Sequence, residues 1–289
     1  MDILDQLKIF GYAVQPNAID AATCAKYADE LDKIEHYKVS NGLIKDIKHQ
    51  VVVYNLHGEK PDLFLHLVDG DPVFGVVQKV LSNGQQIILN SLSASRSIKV
   101  NEKMDYGDAW RAHIDTRMPA PDFGHTESIV AAICLDDFTV ENGATRVWPY
   151  SHLTGMRPPL NVDTDSLPGA VQLVAKRGTV FYWLGQTWHA ISKNFSGQRR
   201  WGIIYHYTYW WIKPTFDYTQ CGPELYHRLS TRQKGLLGFN SRPPSSPDIR
   251  VYTVTKADEL PDDYEAAMRP DYSTDHKAAT AYSSSDTKG

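Results

Sequence analysis

Three residues have the types and spacing to hold one metal ion: His113, Asp115 and, much later, His189. In H-x-D on an extended segment both side chains fall on one face, because alternate residues of a strand point the same way. A third ligand from a neighbouring strand completes a facial set of two imidazoles and one carboxylate. That set leaves three adjacent positions open on Fe(II), for a bidentate co-substrate and O2. It also leaves the site a net positive charge, which favours an anionic co-substrate. H-x-D alone also fits a surface His-Asp pair, so its context matters. His189 ends the run Thr179 to His189, which reads as a strand, a turn and a His at a strand start. Arg200 follows eleven residues later and opens an apolar strand. A guanidinium there can take the distal carboxylate of a dicarboxylic 2-oxo acid bidentately.

These residues need a frame. Residues 1–15 read as a short helix, a Phe10-Gly11-Tyr12 turn and a strand. Residues 20–38 read as an amphipathic helix capped by Asp20, with Cys24, Tyr27, Ala28, Leu31 and Ile34 on the core side. A second helical region over 61–81 breaks near Pro72, and Asn83-Gly84 is a turn. Gln86 to Val100 reads as strand, turn, strand. Short strand-like runs then follow at Ser128–Cys134, Thr145–Trp148, Thr179–Trp183 and Trp201–Tyr209. Several short strands at this spacing indicate an antiparallel sandwich or barrel. The expected fold class is therefore α+β. Beyond Pro214, Leu225–Leu237 has helical periodicity with Gly238 as its cap, and residues 242–247 form a Pro-rich loop. One domain over 1–272 is expected, with a polar, disordered tail over 273–289.

Bulk properties exclude several classes. The chain has 289 residues, 42% hydrophobic, with a net charge of -4. Length and composition suit a globular core, and no clustered basic surface points to nucleic acid. Three scattered cysteines, Cys24, Cys134 and Cys221, form no CxxC, which argues against a thiolate zinc site or a disulfide framework. No charged and apolar leader is read at the start, and no apolar run is long enough to span a bilayer. The expectation is a cytoplasmic enzyme with a small-molecule substrate and no nucleic-acid or membrane partner; a homodimer is left open.

The chain resembles the phytanoyl-CoA dioxygenase family of Fe(II)/2-oxoglutarate oxygenases. The residues that carry the likeness are Phe10-Gly11-Tyr12, His113-x-Asp115, the stretch from Asp137 through Glu141-Asn142-Gly143-Ala144-Thr145 to Pro149-Tyr150-Ser151-His152, then His189 and Arg200. The likeness covers roughly residues 1–250. It implies a double-stranded β-helix, or jelly-roll, core flanked by N-terminal and C-terminal helices. It also implies iron at His113, Asp115 and His189, 2-oxoglutarate on Arg200, and O2 as oxidant. Arg199 is the alternative anchor, since only one of two strand neighbours can point into the barrel. Thr145 sits where relatives often place a hydroxyl near the co-substrate, while Asn142 and Gly143 read as structural turn residues. One departure stands out: Trp110 occupies a position, three residues before the first ligand His, where relatives often carry Gln. Asp115 argues against a halogenase, which has a small residue there.

The activity implied is oxidation of an unactivated C–H bond of a small molecule, by hydroxylation, desaturation or oxidative cyclisation, in secondary-metabolite biosynthesis. The alternatives are an amino acid or acyl-CoA type substrate, or a jelly-roll binding protein without turnover. A cupin-like zinc hydrolase or isomerase using the same ligands leaves Arg200 unexplained. Candidate substrate contacts are Tyr106, Trp110 and Arg117, the last on a Pro- and Gly-containing loop over 117–125 that reads as a lid. Tyr205, Tyr207 and Tyr209 alternate with His206 and Thr208, and the even set shares the side of Arg200 if the strand stays regular.

Overall fold

The computed structural model describes residues 1–45, 47–81, 84–116, 126–160, 162, 164–242 and 257–268. The chain opens with helix α1 (Ile3–Phe10), capped by the Asp2 side chain on the Asp5 N–H. Strand β1 (Tyr12–Gln15) and helix α2 (Ala21–Ser40) follow, and Asp20 caps α2 by accepting from the Thr23 N–H. Then come β2 (Gln50–Tyr54), α3 (Leu56–Glu59), α4 (Pro61–Phe64), α5 (Val73–Val80) and β3 (Ile87–Ser97). The middle of the chain supplies β4 (Ser128–Cys134), β5 (Arg146–Val147), β6 (Val171–Gln172), β7 (Val180–Leu184), β8 (His189–Ala190) and β9 (Trp201–Tyr209). Three short helices end it: α6 (Gly222–Tyr226), α7 (Thr231–Leu236) and α8 (Tyr264–Met268).

The strands form two antiparallel sheets. The major sheet runs β1-β7-β4-β9-β3-β2 and the minor sheet β6-β5-β8. Period-2 alternation gives the central strands two different faces. Ile129, Ala131 and Ile133 of β4 and Trp201, Ile203, Tyr205 and Tyr207 of β9 pack on the helical layer with Leu31, Phe64 and Val77. Val130, Ala132 and Cys134 point the other way. They meet Phe181 and Trp183 of β7, and Val147 from the minor sheet, in a second core between the sheets. This is the jelly-roll expected, with helices covering one side. Each fully buried large side chain contributes about 1.5–3 kcal/mol, so the helix-facing core is the main source of stability.

Two expectations are corrected. Residues 86–100 are not strand, turn, strand. They form one eleven-residue strand, β3, whose register with β9 shifts between Leu89 and Ser91. The bulge at Asn90 breaks the alternation, and a broken alternation resembles a turn in sequence. Likewise Leu225–Leu237 is not one helix. Ser230 intervenes, and its side chain and that of Gln233 form a reciprocal capping box that starts α7 afresh. Asn83, the Pro-rich loop at 243–247, the 117–125 segment with Arg117, and the 273–289 tail lie outside the described residues.

The family-like motifs touch one another, which explains why such distant stretches go together. Gly11, at φ 82°, ends α1. A Cβ there would come within 2.5 Å of His152 Nδ1 and 2.7 Å of Thr187 Oγ1, so only glycine fits. Thr187 Oγ1 donates to the Gly11 carbonyl at 2.7 Å, which ties the turn before His189 to the start of β1. Asn142 accepts from the Thr139 N–H and donates to the Asp137 carbonyl, each at 2.8 Å. Gly143, at φ 84°, packs where a Cβ would lie 2.5 Å from the Ser192 carbonyl. Both residues are structural, as their types suggested.

Candidate active site

His113 and His189 face each other through a backbone bridge: each N–H donates to the other's carbonyl, at 2.9 and 3.0 Å. The Asp115 N–H donates to the Gly185 carbonyl at 2.8 Å. These bonds bring the strand start at β8 alongside the H-x-D segment. One ligand atom from each of His113, Asp115 and His189 lies within 4.8 Å of the others. His189 Nε2 is 3.3 Å from Asp115 Oδ2, and His113 Nε2 is 3.9 Å from Asp115 Oδ1. The three side chains thus converge closely enough that they could hold one metal ion between them, and a ferrous ion there would supply the oxidative chemistry.

The tautomers suit a metal. His189 Nδ1 lies 3.0 Å from the Thr187 carbonyl and His113 Nδ1 3.2 Å from the Arg111 carbonyl. A carbonyl oxygen only accepts, so each Nδ1 carries a proton, which leaves Nε2 as the nitrogen free to bind a metal in the neutral ring. Burial lowers the His189 pKa, against the pull of Asp115, which keeps the ring neutral. Burial alone would raise the Asp115 pKa. His189, His206 and His113 together with the Trp183 indole N–H, which donates at 3.0 Å, outweigh it and hold the carboxyl ionised. Two neutral imidazoles and one carboxylate are the donor set a ferrous ion takes.

Arg200 and Arg199 settle differently. Arg200 is 5% exposed, with its guanidinium 4.7 Å from the Phe138 ring and its Nε donating to Ser97 Oγ at 3.2 Å. No carboxylate among the described residues pairs with it. Burial lowers its pKa to about 10, so it keeps its charge at neutral pH. Phe138 shares the inner core with Trp183, which links Arg200 to the surroundings of Asp115. Arg199 is the correction. It points out to α2 and pairs with Asp32 at 2.6 Å and Asp136 at 3.1 Å, so its charge is already compensated. Strand alternation places one guanidinium inside and its neighbour outside.

The regular parity of β9 holds. Tyr205, Tyr207 and Tyr209 are core residues on the helix side, while Ile204 packs in the inner core. His206 and Thr208 line a cavity of about 690 Å³ together with Asp115, Asn90, Glu127 and Lys213. Tyr106 and Trp110 do not line that cavity. Their rings meet at a tilt with centroids 4.5 Å apart, Lys193 sits 5.4 Å from the Trp110 ring, and Tyr106 Oη accepts from the Asn101 N–H at 2.7 Å. Their substrate role is therefore not met there, because their own loop engages them. Thr145 precedes β5, and its carbonyl accepts from the Leu173 N–H at 2.8 Å. Sequence reasoning missed Trp183 and Ser97. Inward parity on β7 and β3 was the signal that could have found them.

A jelly roll that carries this donor set, with a buried arginine that meets no carboxylate among the described residues, defines an Fe(II)- and 2-oxoglutarate-dependent dioxygenase, with O2 as co-substrate. The phytanoyl-CoA dioxygenase (PhyH) family model matches residues 8–202, and the chain belongs to that family. It is 25% identical over 265 residues to the uncharacterized protein Rv1501 of Mycobacterium tuberculosis, covering 86% of this chain and 93% of that one. The dioxygenase andF of Emericella variicolor is 31% identical over 112 residues, 38% of this chain and 37% of that one. In fold it resembles HygX of Streptomyces hygroscopicus, solved with nickel and 2-oxoglutarate bound. That match has a TM-score of 0.59 at 14% identity, covering 73% of this chain and 88% of that one. It also resembles the non-haem α-ketoglutarate dependent epimerase SnoN from nogalamycin biosynthesis, at TM-score 0.53 and 19% identity, covering 71% and 81%. No helix among the described residues is long and apolar enough to cross a membrane.

Proposed function

We propose that His113, Asp115 and His189 hold ferrous iron, that Arg200 anchors 2-oxoglutarate, and that the enzyme oxidises an unactivated C–H bond of a small polar molecule in secondary-metabolite biosynthesis. One observation carries the reading: three ligand atoms converge within 4.8 Å, in the same barrel interior as a buried guanidinium without a carboxylate partner among the described residues. A buried charge left alone is costly unless a ligand pairs it. When bound, iron with 2-oxoglutarate and O2 supplies the oxidation of a C–H bond, with succinate and CO2 as co-products.

The chain's own residues supply orientation. The Thr187 and Arg111 carbonyls fix the imidazole tautomers. The Trp183 N–H restrains one Asp115 oxygen. The guanidinium of Arg200 receives the distal carboxylate of the co-substrate, and Phe138 and Trp183 keep water from that end. Thr145 is retained as a second co-substrate contact, since no described side chain engages its hydroxyl.

The cavity beside Asp115 supports a compact polar substrate. Asn90, Thr116, Glu127, Ser128, His206 and Thr208 all line it. Ile114, Ile212 and Pro214 line it too, so its wall offers a compact substrate apolar contact as well as polar groups. SnoN acts in nogalamycin biosynthesis, which is in keeping with a tailoring role of this kind. The test is anaerobic addition of Fe(II) and then 2-oxoglutarate, watching for the weak visible metal-to-ligand charge-transfer band. The band is expected in the wild type, absent in Asp115→Ala and weakened in Arg200→Ala. Bound iron without a band in the wild type would overturn the reading.

A further inference from the structure

The inner face of β3 is lined by serines, while its outer face carries Leu92 and Ala94 and then Arg96, which pairs with Glu35. Ser93, Ser95 and Ser97 alternate with Leu92, Ala94 and Arg96, and all three serines are buried. Ser97 is the last of them and the one that meets Arg200. Its hydroxyl is used on every side. It donates to the Asn142 carbonyl at 3.1 Å and accepts from Asn194 Nδ2 at 3.0 Å and from Arg200 Nε at 3.2 Å. Asn194 is itself held, because its Oδ1 accepts from Ser196 Oγ at 3.0 Å and the Gly197 N–H at 2.9 Å, and its Nδ2 also donates to the Gln198 carbonyl. Asn142 belongs to the turn whose side-chain bonds fix the segment before β5. Ser97 is therefore a fixed post with neither a spare lone pair nor a spare proton.

A guanidinium can offer a carboxylate either its Nε and one Nη, or both Nη groups. Ser97 occupies Nε. Neither Nη of Arg200 meets an acceptor among the described residues, and the Phe138 ring covers one face of the group. Only the end-on approach is open. From this we infer that Ser97 is a positioning residue for the co-substrate. It locks the Arg200 guanidinium so that both Nη groups face the distal carboxylate, and so sets the preference for a five-carbon dicarboxylic 2-oxo acid over one without that carboxylate. The inference rests on the reading of Arg200 given above.

The test compares equilibrium binding of 2-oxoglutarate with that of 2-oxobutyrate, which chelates the metal through the same 2-oxo acid end but lacks the distal carboxylate. Both are titrated anaerobically into the Fe(II)-loaded protein by the charge-transfer band and by calorimetry. Ser97→Ala is expected to weaken 2-oxoglutarate about tenfold, the loss of one hydrogen bond to a charged group. It is expected to leave 2-oxobutyrate and Fe(II) affinity unchanged. Ser97→Cys keeps the volume while weakening the acceptor, and is expected to move affinity in the same direction if the alanine variant does not fold. Asn194→Ala spares the Arg200–Ser97 bond, so it is expected to lower thermal stability while keeping most of the preference. Equal weakening of both acids in Ser97→Ala and Ser97→Cys, or of neither, would overturn the positioning role. A wild type with no preference for 2-oxoglutarate would overturn the Arg200 anchor itself, and this proposal with it.

Discussion

The two faces of β9 differ more than any two domains of many proteins do. On one face Trp201, Ile203, Tyr205 and Tyr207 lie in a dry core against helices, each at most 1% exposed. On the other, Arg200, His206 and Thr208 face the barrel interior and the cavity beside Asp115. One backbone serves both, and a step of one residue separates stability from chemistry. Substitutions on the two faces should therefore act on different observables.

The largest effect is expected on the helix side. Trp201→Ala should lower unfolding free energy by about 3–5 kcal/mol, measured by denaturant titration, because it leaves a large cavity and removes the indole N–H bond to Asp32 at 2.7 Å. Equal stability in that variant would break the division of labour.

A pH effect of similar origin follows from His57, on α3, which is 2% exposed with its ring 5.0 Å from Tyr218. Burial lowers its pKa to about 4. Because the folded value is depressed below the unfolded value of about 6.5, folding is favoured while the ring stays neutral. That stability is present above pH 6.5 and is lost as pH falls towards 4, at most roughly 3 kcal/mol. His57→Gln should flatten this part of the stability profile, and an unchanged slope between pH 6.5 and 4.5 would argue against it.

The smallest expected change in stability is the sharpest test of the comparison. Arg200→Met should stabilise the protein without co-substrate by about 1–2 kcal/mol in thermal or chemical unfolding, because it removes a buried cation that has no described carboxylate partner. It should also remove the 2-oxoglutarate preference. Arg199→Met, one residue away, should change stability by less than about 1 kcal/mol, since Asp32 is solvated and Asp136 keeps Arg177 and the Trp201 N–H, and leave binding intact. If both variants behave alike, the two faces are not independent.

The sequence showed the candidate metal ligands because a strand's period makes H-x-D a one-face pair whatever surrounds it. It showed Arg200 as an inward candidate by parity, but could not choose between Arg200 and Arg199. That choice depends on which side α2 covers, and the acceptors Asp32 and Asp136 come from elsewhere in the chain. It misread β3, because a bulge at Asn90 erases the alternation that identifies a strand. It ran Leu225–Leu237 together as one helix, because apolar spacing continues across the capping box that starts α7. Tyr106 and Trp110 stood near the ligands in sequence, yet the loop folds them onto each other. Parity could place Trp183 and Ser97 inward but not name their partners, Asp115 and Arg200, which lie about seventy and a hundred residues away.

The strand order also fixes when this protein can fold. Strand β1 sits at the sheet edge against β7, pairing Tyr12 with Trp183. β3 and β4 both need β9 as their shared neighbour. A nascent chain grows at about 5–20 residues per second, so β1 waits roughly ten to thirty seconds for its partner to be made. Until then its apolar face, and those of β3 and β4, have no complete sheet to join. High contact order of this kind gives slow folding and a long exposure to other chains, so yield on the ribosome should respond to synthesis rate and chaperone supply more than to the final stability.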